Sequence, residues 1–307
     1  MEMFMKRKKR NFIIAGALTS ACCLFMVLFP SVAVYSAQKG ISLWVTSVLP
    51  ALLPFFICAN FLNYMGAVSL IRPSLFPFAM SVLSGYPMGA KIIGDMRREN
   101  VISPREAKRM ISFCSTSGPT FMIGAVGVGM LGSASAGVLI AAAHYLGAMI
   151  NGVFYSLLFS GGERSSARPI KRKNSDLLEL FTEAILSAFK SLAVILAYIV
   201  LFMFLTDLLH MSGAFSWIPY QPAKAAAKGF FEMTVGCGAL SECAGLSFEW
   251  ICILAAMILS WGGLSIIGQS MSMLSGSGVP LPYFLLTKLT HSIFAGLIAF
   301  FLTLCVV

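Results

Sequence analysis

The chain has 307 residues, of which 58% are hydrophobic and 11% charged, with a mean hydropathy of +0.86 and a formal net charge of +10. A water-soluble domain of this length cannot hide so much apolar surface, and the apolar runs are continuous, as in helices rather than barrel strands. The basic charge argues against nucleic acid, because most of the 22 lysines and arginines lie in three clusters beside apolar runs: Lys6 to Arg10, Arg97 to Arg109 and Arg164 to Lys173. No basic folded domain is left to present a surface.

In chain order, residues 12–35 carry no charge and read as a first crossing, outward from a cytoplasmic N-terminus by the positive-inside rule. Tyr35-Ser36-Ala37 resembles a cleavage site, but the stretch is long for a signal peptide, and a retained anchor is expected. Residues 43–64 cross back, with Pro50 and Pro54 expected to bend or break the helix. Residues 66–96 are punctuated by Pro73, Pro77, Gly85, Pro87, Gly89 and Gly94, which suits a re-entrant hairpin with its tip at 84–89. Ser103-Pro104-x-Glu106 reads as a helix start. Residues 110–160 are uncharged and hold two spans, since one needs about 20 residues. The first is interrupted at Ser115-Thr116-Ser117-Gly118-Pro119 and resumes over 121–131; the second covers 134–159. A polar, basic linker covers 161–175. Beyond it come a span at 188–209, a second hairpin at 214–246, a span at 257–278 broken at Trp261-Gly262-Gly263-Leu264-Ser265, and a last span at 280–307.

The two halves match without a gap at one offset, the 147 positions that separate His144 from His291. Leu49 then meets Leu196, Phe55 meets Phe202, Leu62 meets Leu209, Gly66-Ala67 meets Gly213-Ala214, Gly89 meets Gly236, Met110-Ile111 meets Met257-Ile258, and Phe154 meets Phe301. The organisation that follows is an N-terminal segment (1–39), a first repeat (40–160), a cytoplasmic linker (161–187) and a second repeat (188–307). The first repeat contains an odd number of crossings, so the second runs inverted and the C-terminus lies outside. Such duplication in a membrane protein points to a carrier with its site between the copies.

Charge inside a bilayer costs about 3 kcal/mol or more per residue, which makes intramembrane ionisable groups the first candidates. In the hairpins these are Lys91, Asp95, Glu232 and Glu242. Lys91 either attracts an anionic solute or pairs with Asp95 one helical turn away. Glu232 is the candidate for coupling to a cation or proton. The two interrupted spans free backbone N–H groups that bind carboxylates, and Ser117, Gly118, Thr120, Gly262, Gly263, Ser265 and Gln269 form this part of the expected site, with Tyr86 beside the solute. Close packing at the glycines is the alternative. His144 and His291 suggest an interface role. Gly127-x-Gly129-x-x-Gly132 matches a dinucleotide fingerprint by letters only, with no strand before it. The eight cysteines are scattered and read as small hydrophobes rather than metal ligands or disulfides. No catalytic constellation, cofactor or metal is expected.

The runs Ser84-Gly85-Tyr86-Pro87-Met88-Gly89-Ala90-Lys91-Ile92-Ile93-Gly94-Asp95, Ser117-Gly118-Pro119 and His144-Tyr145-Leu146-Gly147 resemble the sporulation integral membrane protein YlbJ family, also called stage V sporulation protein V, over nearly the whole chain. The resemblance implies an all-α membrane protein with two nucleoside-recognition "gate" repeats, similar to those of concentrative nucleoside transporters. It also implies the outer forespore membrane and movement of dipicolinate (pyridine-2,6-dicarboxylate) from mother cell towards forespore. A flat aromatic dianion would suit two half-helix N-termini with Tyr86 or Trp261 near its ring. The rival readings are a scaffold for spore assembly that carries nothing, and a nucleoside-type carrier. Expected partners are the anionic solute and membrane lipid, not nucleic acid, with a homo-oligomer left open.

Overall fold

The structure, a computed structural model, describes residues 2–66, 74–158 and 176–306. The linker at 161–175, the side chains of the basic cluster at 6–10, and Ala67 and Pro73 of the first hairpin stretch lie outside the described residues. Among the described residues every regular element is helical. Four helices are long and apolar enough to cross a membrane: Ala134–Leu158 (α7), Leu177–Met211 (α8), Phe248–Met273 and Leu281–Cys305. Phe12–Leu28 and Pro30–Thr46 make a fifth if counted together, bent by 103°.

The stretch expected to cross at 12–35 is thus bent between Leu28 and Pro30. Helix α1 (Glu2–Leu28) ends before Phe29, and Pro30 opens α2 (Pro30–Leu43) from its first position, where its missing N–H costs nothing. From there the chain stays helical to Tyr64 through a π-helical turn, Trp44–Val48, into α3 (Leu49–Tyr64). Pro50 therefore widens the helix without breaking it: its nitrogen cannot donate to the previous turn, and Leu49 N–H reaches back to Trp44 O instead.

The first hairpin is α4 (Leu75–Ser84) and α5 (Met88–Arg98), and its tip falls where the sequence placed it. Helix α6 (Pro104–Ile111) leads into an irregular stretch, and a π-helix, Thr120–Met130, completes that limb before α7. In the second half, α8 is followed by the hairpin α9 (Gln221–Phe231) and α10 (Met233–Ser241). The broken span is α11 (Phe248–Trp261) and α12 (Gly263–Met273), followed by α13 (Leu281–Val306). Its interruption lies at Gly262 and Gly263, as expected, but it begins nine residues before Met257, because Ser247 is extended (ψ 158) and starts α11 there.

The α6 start is a complete capping box. Ser103 Oγ accepts the Glu106 N–H (3.2 Å) and the Glu106 carboxylate accepts the Ser103 N–H (2.8 Å). Replacing Ser103 with alanine is expected to cost about 1 kcal/mol and to fray this turn, read as faster amide hydrogen exchange at Glu106 and Ala107 in detergent micelles.

Corresponding helices of the two halves pack against each other head to tail. Along α2–α3 and α8, Ser36 donates to Asp207 (2.7 Å), Trp44 Nε1 to Leu192 O (3.1 Å) and Asn60 to Ala184 O (3.2 Å), so the numbers run in opposite directions. Along α7 and α13, Gly147 lies against Ala295, Asn151 donates to Thr287 O, and Tyr155 meets Tyr283. His144 and His291 meet at the crossing, with ring centroids 4.7 Å apart. Small residues permit this approach: a Cβ at Gly147 would stand 2.9 Å from Ala295 N.

Candidate functional site: a cavity between the hairpin tips

Both hairpin tips converge on one cavity of about 550 Å³. Ser84, Gly85 and Tyr86 line it from the first tip, and Glu232, Met233 and Thr234 from the second. Ser117, Gly118 and Thr120 come from the first break and Gln269 from α12. The remaining wall is mostly apolar and includes Leu43, Leu52, Phe121, Ile195, Ile199 and Ile266. Local backbone chemistry sets the tip. Gly85 has φ +84, a left-handed conformation natural to glycine, and a Cβ there would lie 2.6 Å from Gly118 N. Only bare backbone lets tip and break approach so closely.

Two buried polar atoms on this wall, Ser84 Oγ and Gln269 Oε1, have no hydrogen-bond partner. Gln269 is 1% exposed, and its amide is held by donation to Ser265 Oγ (3.2 Å), which leaves the carbonyl oxygen unused. Buried polar groups are normally paired, so an unpaired set on a cavity wall marks a place for a polar ligand.

Of the residues expected at the site, Tyr86, Ser117, Gly118, Thr120, Gln269 and Glu232 line the cavity. Four do not. Lys91 is buried elsewhere and donates to Asn60 Oδ1 (2.8 Å) and Asp95 Oδ2 (2.9 Å), while Asp95 also pairs with Arg98. The i, i+4 pairing is thus the correct reading of Lys91. Gly262 and Gly263, both at positive φ, shape the break, and Gly263 packs on the backbone of Phe231 and Glu232. Ser265 acts through Gln269. Trp261, expected near a solute ring, instead stacks on Phe230 (5.2 Å) and donates to its carbonyl, away from the cavity.

At the first break one backbone N–H is already taken. Ser117 N–H donates to His144 Nε2 (2.9 Å), so the hydrogen of this neutral imidazole sits on Nδ1 and is donated to Ser260 Oγ (2.8 Å). His144 therefore ties the first break to the helix end before the second. His291 Nε2 donates to His144 O (2.9 Å). Glu232 is 3% exposed, and its carboxylate caps α10, accepting from Val235 N–H (2.9 Å) and Thr234 Oγ1 (3.3 Å).

Lys288 went unseen among the candidates, although a lysine within the apolar run 280–307 was visible as a signal. Its side chain is 1% exposed and donates to Tyr86 OH (2.7 Å) and Ser115 O (3.1 Å).

A second cavity of about 360 Å³ adjoins the first through Thr234, which lines both. Its charged rim is Lys39, Asp207, Lys228 and Glu242, with His210 beside them. Glu242 is exposed there rather than embedded. At the 147-residue offset, Asp207, Gly238 and Glu242 correspond to Asn60, Lys91 and Asp95. The position filled by the lysine latch in one half is open in the other.

All eight cysteines are free. Cys114, Cys237 and Cys252 are buried as small hydrophobes, whereas Cys23, Cys58 and Cys305 are exposed. Among the described residues no group of three His, Cys, Asp or Glu converges to hold a metal.

No family model matches the chain, and no solved structure matches it. The sporulation integral membrane protein YlbJ of Bacillus subtilis (strain 168) is 28% identical over 342 aligned residues, covering 95% of this chain and 83% of the relative. The chain is similar to this relative over nearly its whole length. Similarity to an integral membrane protein accords with the apolar helices. The Ser84–Asp95 run falls on the first hairpin, with Ser84 and Tyr86 at the cavity and Lys91 and Asp95 in the latch.

Proposed function

We propose that the chain is an inverted-repeat carrier that moves dipicolinate across the outer forespore membrane, from mother cell towards forespore. The observation that carries this reading is the central cavity, built from both hairpin tips and a broken helix, with apolar walls and the unpaired Ser84 Oγ and Gln269 Oε1. An apolar slot with a few convergent polar atoms suits a flat ring bearing carboxylates. Head-to-tail packing of corresponding helices supports two oppositely oriented copies around that slot. The identity of the solute rests on the family resemblance.

Glu232 shares the cavity, so a dicarboxylate can enter favourably only if Glu232 is neutralised by a proton or a cation. This makes Glu232 the coupling residue. Purified protein in liposomes should accumulate dipicolinate, faster under the ion gradient that loads Glu232. Glu232→Gln should remove that acceleration, a loss of about 5- to 150-fold for an ordinary coupling energy, while gradient-free exchange persists. Uridine uptake in place of dipicolinate would identify a nucleoside-type carrier. A folded protein that moves neither would be a scaffold.

A further inference from the structure

We infer that Lys288 is the specificity-determining residue that makes the central cavity take a carboxylate-bearing solute in preference to its uncharged counterpart. The inference rests on the carrier reading and deepens it. Lys288 Nζ is buried at the centre of the fold, and among the described residues no carboxylate pairs with it. It lies 4.5 Å from the centroid of the Tyr86 ring and donates to the phenol oxygen. The phenol hydrogen is committed elsewhere, to Leu259 O (3.1 Å), so the oxygen presents lone pairs to the ammonium. Tyr86 is itself cavity wall. Lys288 thus stands directly behind the first hairpin tip, separated from the cavity by one side chain.

Among the described residues, no group paired with Nζ supplies a negative charge. Ser115 supplies a carbonyl oxygen, and Ser115 Oγ has no partner. His144 is neutral, because its Nε2 accepts a backbone N–H, and His291 spends Nε2–H on the His144 carbonyl. The one carboxylate on the cavity wall, Glu232, belongs to the opposite tip, where it caps α10. Repeat symmetry does not restore the balance: at the 147-residue offset Lys288 corresponds to Ala141, and Tyr86 to Met233. A carboxylate seated at the Tyr86 end would be the counter-charge that Nζ lacks, while Glu232 stands at the opposite tip. In a low-dielectric interior a bound carboxylate and a proton on Nζ favour each other across several ångströms, which draws an anionic group to the Tyr86 end.

The test is binding of three isosteric pyridines to the purified protein by calorimetry: dipicolinate, its mono-amide, and the neutral 2,6-dicarboxamide. Wild type is expected to weaken by at least about tenfold per carboxylate removed, the size of a modest charge–charge term. Lys288→Gln, which keeps hydrogen bonding without charge, is expected to level the series. Lys288→Arg is expected to keep the slope, which a role in merely propping Ser115 and Tyr86 does not predict. A Lys288→Gln protein with the wild-type slope overturns the inference while leaving the carrier reading intact. If Lys288→Gln does not fold, a flat series in the wild type overturns it equally. Wild type binding none of the three overturns both.

Discussion

Replacing Gly89 with alanine is expected to prevent accumulation of the folded protein. Gly89 sits in the first turn of α5, just beyond the first hairpin tip, and a Cβ placed there would run into the Cys114 carbonyl and crowd Ser81 Cβ (3.0 Å). The obstacle is backbone on one side, so no rotamer change relieves it. Helix α5 would have to withdraw from the break, opening the contact that holds Ser84 and Gly85 against Ser117 and Gly118. Overpacking of a close-packed interior typically costs about 1–3 kcal/mol, and a backbone clash lies at or beyond the top of that range. The check is membrane abundance and a monodisperse peak in detergent. Gly124→Ala serves as control, since a Cβ there meets nothing within 4 Å. Its abundance should match wild type; a normal peak for Gly89→Ala would refute the tight tip-to-break packing.

His144→Ala is expected to be the most damaging change outside the glycines. It strands Ser117 N–H and Ser260 Oγ, both buried and both otherwise bonded to the imidazole. Each unsatisfied buried group costs about 1–3 kcal/mol, giving roughly 2–6 kcal/mol for the pair, with the lost ring volume in addition. His291→Ala removes one bond, to a carbonyl that already accepts within α7, and should cost about half as much. Thermal unfolding in detergent, followed by tryptophan fluorescence, measures both. Equal destabilisation would mean that His144 does not link the two breaks as described. The comparison matters because the histidines are corresponding residues of the two halves yet have different work: one holds backbone at the breaks, the other holds the first.

Much of this was legible in the chain itself. Glycine, proline and serine clusters marked the tip at 84–89 and the interruptions at 115–119 and 262–263, because each cluster removes the conditions for a regular helix. Ser103-Pro104-x-Glu106 announced a helix start, and the structure closes it as a capping box with both hydrogen bonds present. The bend within 12–35 was not legible, since hydropathy counts residues and ignores direction, and Pro30 supplies a fresh helix start at a sharp angle. The choice between the two readings of Lys91 was not legible for a related reason. Its spacing to Asp95 was visible, but Asn60, the third partner, comes from a helix 31 positions away.

What the sequence determined alone was the solvent, the all-helical build, the duplication and the places where helices stop. These are local or compositional properties, set by apolar content and by residues whose backbone chemistry forbids or caps a helix. Only the tertiary structure decided which polar groups face the cavity and which are spent on the fold. Ser117 N–H is taken by His144, Lys91 by Asp95 and Asn60, and Ser265 by Gln269, while Ser84 and Gln269 retain unpaired oxygens and Lys288 stands behind Tyr86. Pairing depends on what other segments bring within about 3 Å, and that distance is set by packing across the two halves, not by neighbours in the chain.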